Sequence, residues 1–147
     1  MDKDDVIAIL NDLIQITEDS HEGYRRSAED ATDPELKGLF NDLSAQRGAV
    51  VRDLQKMVAG QGGEPQSGGT VLGGAHRFFA DVKSAVLGRD STAILKQAER
   101  GENEAVRRFE AALEKELPDP IREAIRGHLE RIRSDCNRMT TVKNMST

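Results

Sequence analysis

Glu102 interrupts an apolar register. Leu95, Glu102 and Phe109 are spaced by seven in "LKQAERGENEAVRRFEAAL", residues 95–113, which places a carboxylate on the face of a helix that should be buried. Phe40, Arg47 and Leu54 repeat that spacing with a cation at the centre. His21 lies seven after Ile14 and seven before Ala28, and Cys136 falls in a stripe with Ile132 and Met139. Two chemistries compete for these residues. His21, Glu102 and Cys136, completed by Glu18 or Glu99, would offer zinc a four-coordinate nitrogen, oxygen and sulfur set. Alternatively, an interior Glu102 needs a cation or a proton to offset its desolvation, and arginine can supply that charge. Arg47 is the first choice as counter-ion and Arg133 the second, and either would repel a dication. Cys136 on an apolar stripe reads as a small buried hydrophobe, although a neighbouring arginine could lower its thiol pKa.

The composition narrows what such a site could serve. Of the 147 residues, 32% are charged and 3% aromatic, with no Trp, which suits long solvated helices rather than a β-sandwich or barrel. A net charge of −5, with arginines interleaved among acids, argues against nucleic-acid binding. No segment approaches the roughly 20 apolar residues needed to cross a bilayer, which argues against a membrane protein. The start "MDKDDVIAIL" carries acids where a signal peptide carries bases, and one cysteine fits a reducing compartment, so a cytoplasmic location is expected. His76 and His128 have no partner at metal-ligand or catalytic spacing and are expected at the surface. Arg25-Arg26 and Arg107-Arg108 are expected to form salt bridges on solvated helix faces.

The elements that must position these residues are helices. Val6, Ile7, Leu10, Leu13, Ile14, Tyr24 and Ala28 share one helical face and predict a helix over 4–31. Asp33-Pro34 is a cap followed by a first-turn proline, opening a second helix over 34–59. "GQGGEPQSGGT" (60–70) holds five glycines and a proline and reads as a loop. A shorter helix is expected near 71–87, stopped by Gly88; Asp90 then opens a helix over 90–116. "LPDPI" repeats the Asp-Pro start for a last helix over 119–140, with a frayed tail over 141–147. Laying Tyr24…Asp33-Pro34 over Phe109…Asp119-Pro120 exposes a weak internal repeat of two hairpins. The expectation is one all-α domain, a ferritin-like four-helix bundle whose long crossover carries the extra short helix.

The stretches "AILNDLIQITEDSHEGYRRSAEDATDPELKGLF", "GRDSTAILKQAERGENEA" and "ALEKELPDP" resemble a family of uncharacterised bacterial four-helix-bundle proteins, a domain of unknown function within the ferritin-like superfamily. The resemblance spans nearly the whole chain. It implies a di-metal site built from one Glu on each of two helices and Glu-x-x-His on each of the others. In this chain Glu102 keeps its slot, whereas the first-helix carboxylate position falls on Thr17, beside Glu18. The two Glu-x-x-His slots fall on Arg47 and Val50 and on Arg133 and Cys136. The expected function is therefore a non-catalytic bundle with a degenerate di-metal site and no cofactor. It would act through protein association, as a homodimer or with another partner, and the resemblance implies a stress-related role. The alternative is a metal-binding or oxidoreductase protein using iron or zinc at a rearranged interior site. Phe78 and Phe79 could also line a ligand pocket.

Overall fold

The computed structural model describes residues 2–65 and 91–145. The described residues form four helices and no strand: α1 (Lys3–Asp30), α2 (Pro34–Gly60), α3 (Ser91–Leu113) and α4 (Asp119–Met145). Among them no helix is long and apolar enough to cross a membrane. The helix expected near 71–87, with His76, Phe78 and Phe79, lies outside the described residues.

Local chemistry sets the helix ends. The Asp2 carboxylate accepts from the Asp5 backbone N–H at 2.9 Å and caps α1, and Asp4 and Asp5 complement the dipole in its first turn. Asp33 accepts from the Glu35 N–H at 3.0 Å ahead of Pro34, giving α2 the start its sequence predicts. At the other end Gly62 takes φ +82°, which lets its N–H reach the Ala59 carbonyl and the Gly63 N–H reach that of Val58, both at 3.0 Å. Gly63 then lies against Ile7, where an added Cβ would come within 2.8 Å of the isoleucine side chain. The close approach fixes the end of α2 on the start of α1.

Two boundaries differ from expectation. α3 ends at Leu113 rather than 116: Pro118 has no N–H for the Glu114 carbonyl, and Arg122 of α4 donates to the freed carbonyls of Leu113 (2.7 Å) and Lys115 (2.6 Å). The tail expected to fray from 141 continues as helix to Met145. There Thr140 and Thr141 return their hydroxyls to the carbonyls of Cys136 and Asn137, and Val142 packs on the apolar cluster around Phe40.

Contacts along the helices define the arrangement. α1 and α2 pair most extensively, α3 pairs with α4, and the hairpins meet along the α1–α3 and α2–α4 seams. Ser20 meets Glu102 and Asp12 meets Arg108, so α1 and α3 are antiparallel. Asp42 meets Arg138 and Asp53 meets His128, so α2 and α4 are antiparallel as well. With antiparallel hairpins, α2 and α3 must then run parallel. The core divides in two. One cluster gathers Leu10, Leu13, Leu54, Phe109 and Ile125; the other gathers Tyr24, Phe40, Leu43, Leu95 and Met139, with the Tyr24 and Phe40 rings stacked 5.9 Å apart.

Candidate functional site

Between the two apolar clusters lies a polar layer to which every helix contributes. α1 supplies Ser20, seven after Leu13; α2 supplies Arg47; α3 supplies Glu102; α4 supplies Asp135. The Arg47 guanidinium donates from Nε to Glu102 Oε1 (3.2 Å) and from Nη2 to Oε2 (2.8 Å), a two-point grip on one carboxylate. Its Nη1 donates to Asp135 Oδ2 at 2.8 Å. Ser20 donates its hydroxyl to Glu102 Oε1 at 2.7 Å. Side-chain exposure is 1% for Arg47, 0% for Glu102 and 5% for Asp135, and Arg47 is the largest fully buried side chain among the described residues.

The charges are nearly matched. One buried cation faces two buried carboxylates, and the half-exposed Arg131 stands 3.7 Å from Asp135 Oδ1, where it offsets the remaining negative charge from the rim. Burial opposes the Arg47 charge, but Glu102 and the hydrogen bond to Asp135 outweigh it and hold the guanidinium firmly protonated. Burial, and then the field of Glu102, pushes the Tyr24 phenol well above its ordinary range. Neutral Tyr24 directs its hydroxyl to Met139 Sδ at 3.8 Å. Cys136 borders the layer, and its thiol is pushed up to about 12, first by burial and then by Glu102, with Arg47 opposing. The lowering that a nearby arginine suggested is thereby reversed: both carboxylates outface the cation, and desolvation adds to them.

Arg47 therefore occupies the place the sequence assigned it, while the second choice, Arg133, does not. Arg133 is half exposed and donates to Glu110 at 2.7 Å. A helix turns about 100° per residue, so Arg133 is carried that far from Ile132, whereas Asp135 returns to within about 60° of it. Asp135 and Ser20 escaped the sequence reading, although Asp135 stands three after Ile132 and four before Met139, a phase as buried as that of Cys136.

Among the described residues, the remaining slots do not converge on a common centre. Thr17 is buried and turns its hydroxyl to the Leu13 carbonyl at 2.6 Å, and Val50 belongs to the apolar core. His21 places Nδ1 2.6 Å from the Ser44 carbonyl; a carbonyl only accepts, so Nδ1 carries the proton. Glu18 and Glu99 are half-buried on α1 and α3. Among the described residues no three His, Cys, Asp or Glu side chains converge as a metal-holding group. The donor set does not fit a pair of divalent ions, because a guanidinium grips both oxygens of Glu102 and its charge would repel them. His128 is also corrected: it is partly buried, and its Nε2 lies 2.6 Å from Asp53 across the α2–α4 seam. The paired arginines match expectation, with Arg25 on Glu22 and Glu29, Arg107 on Glu104, and Arg108 on Asp12 and Glu104.

A model of the DUF2383 family, a domain of unknown function, matches residues 5–115. The chain belongs to that family. The match takes in α1, α2 and α3, and with them Ser20, Arg47 and Glu102; Asp135 and the whole of α4 lie beyond it. No curated protein matches the chain. DUF2383 membership bears out the resemblance to a domain of unknown function and supplies no reaction.

Proposed function

We propose that this DUF2383 protein is a non-catalytic ferritin-like bundle whose interior metal position is filled by an arginine, and that it acts in the cytoplasm through protein association. The observation that carries the reading is the Arg47 guanidinium, fully buried and bonded to Glu102 and Asp135. A cation fixed to the protein neutralises the carboxylates a metal would otherwise bridge. Parallel α2 and α3 support the ferritin-like connection, since the start of α3 then lies at the opposite end of the bundle from the end of α2. Among the described residues, Cys136 is held as a thiol, His21 donates to Ser44, and His128 faces Asp53.

Metal analysis of protein purified without chelators is the direct test. Substoichiometric metal is expected; one or more iron or zinc ions per chain would overturn the proposal in favour of a metal-binding or oxidoreductase protein. The association part is a homodimer, to be read by light scattering, and a strict monomer at high concentration removes it. The stress-related role falls if the protein's abundance is unchanged under nutrient, oxidant and osmotic stress.

A further inference from the structure

The bonds of the polar layer share one property: each runs from one hairpin to the other. Ser20 of α1 reaches Glu102 of α3, and Arg47 of α2 reaches Glu102 of α3 and Asp135 of α4. Apolar contact has little direction and cannot by itself distinguish one heptad step from the next. Phe40, Arg47 and Leu54 on α2 match Leu95, Glu102 and Phe109 on α3 in heptad spacing, with Phe40 and Leu95 in one apolar cluster and Leu54 and Phe109 in the other. Sliding one hairpin along the other by a heptad, about 10 Å, would still set apolar side chains against apolar side chains in much of the core. It would also strand Arg47 and Glu102 among leucine and phenylalanine, where an uncompensated charge is heavily penalised.

We infer that the Ser20–Arg47–Glu102–Asp135 layer is a register key: it dictates how the α1–α2 hairpin docks on the α3–α4 hairpin by making every other docking bury unpaired charge. Its contribution is selection among dockings rather than net stability, because a buried ion pair can often be replaced by apolar volume at little cost. A polar group inside an apolar seam fixes the register of coiled coils in the same way. The inference rests on the geometry of the layer and is independent of the association proposed above.

The test removes the key and reads the register. In full-length protein with Cys136→Ser, spin labels at the exposed positions Ala45 of α2 and Asn103 of α3 report the separation of the hairpins by electron–electron resonance. With the key intact, one distance is expected. The keyless variant Ser20→Ala, Arg47→Met, Glu102→Leu, Asp135→Leu should melt within about 5 °C of the parent or above it, yet show at least one further distance. A single unchanged distance would overturn the inference, and so would a keyless protein that no longer folds, since the layer would then be a stability element. A mirrored key, Arg47→Glu with Glu102→Arg and Asp135→Asn, restores a buried pair across the same seam and should return one distance. A spread of distances in that variant also overturns it.

Discussion

Arg47 holds two carboxylates, so the three charges of the layer are not equivalent. Sequence spacing implied a single pair, in which neutralising Glu102 would strand the cation. With Asp135 at 2.8 Å on the other side, Arg47 keeps a counter-charge after Glu102→Gln, and Ser20 keeps an acceptor. Arg47→Met instead leaves two buried carboxylates with, among the described residues, the rim cation Arg131 beside Asp135. Urea unfolding should therefore show a loss of about 3–5 kcal/mol for Arg47→Met and about 1–3 kcal/mol for Glu102→Gln. The reverse order would refute the arrangement. The double change Arg47→Met with Glu102→Leu recovers little until Asp135 is made apolar as well. Cys136 gives a second prediction at this scale. Its native pKa of about 12 lies above the ordinary 9.0, so the folded state holds the thiol proton more tightly than the unfolded chain. The associated stability is present below about pH 9 and falls as pH rises toward 12. Cys136→Ser should flatten that part of the stability profile, and iodoacetamide at pH 8 should alkylate the native thiol far more slowly than the urea-unfolded one. Equal alkylation rates would contradict the raised pKa.

Helix α2 carries a tight steric constraint at the level of elements. Gly48 lies one residue beyond Arg47 and is buried against the His21 ring, so a Cβ built there would stand 3.2 Å from Cε1 and 3.3 Å from Nδ1. A glycine inside a helix normally costs about 1 kcal/mol relative to alanine; here its small size admits the imidazole that binds the Ser44 carbonyl and joins α1 to α2. Gly48→Val should push that ring away and lower stability by about 1–3 kcal/mol. Loss of the slowly exchanging His21 Nδ1 proton in the nuclear magnetic resonance spectrum is the specific sign, and an unchanged ring signal would disprove the contact. The helix ends show how one element can complete another. The carbonyl of Leu113 at the end of α3 takes its donor from Arg122 of α4, nine residues on, rather than from its own helix.

For the molecule as a whole, unequal packing predicts unequal opening. α1 and α2 contact each other more extensively than α3 and α4, and the seams between hairpins are narrower still. The α2–α4 seam is a ladder of polar bonds: Asp42 to Arg138, Gln46 to Arg131, Arg47 to Asp135 and Asp53 to His128. Native-state hydrogen exchange should therefore resolve two cooperative units. Buried α1–α2 amides such as Leu13 and Leu43 are expected to exchange only on global unfolding, and α3 amides such as Ala98 and Ala105 through an opening of lower free energy. Uniform protection across all four helices would rule out the two-hairpin hierarchy.

The sequence by itself determined what depends on neighbours along the chain. Apolar periodicity located the helices, Asp33-Pro34 and Asp119-Pro120 marked two starts, and heptad phase paired Glu102 with Arg47, because each signal arises within a few turns of one helix. The tertiary structure decided which side of each stripe a neighbouring helix covers. Asp135 shares the buried phase of Ile132 and Met139, but phase names no partner, so only the packing shows that Asp135 meets Arg47 while Arg133 reaches Glu110 outside. Nor could sequence place Arg122 on the Leu113 carbonyl of α3 or His128 against Asp53, since those partners come from other helices. Periodicity records burial, but a partner's identity is a property of the packed bundle, and for that reason the second carboxylate on Arg47 became visible only when the four helices came together.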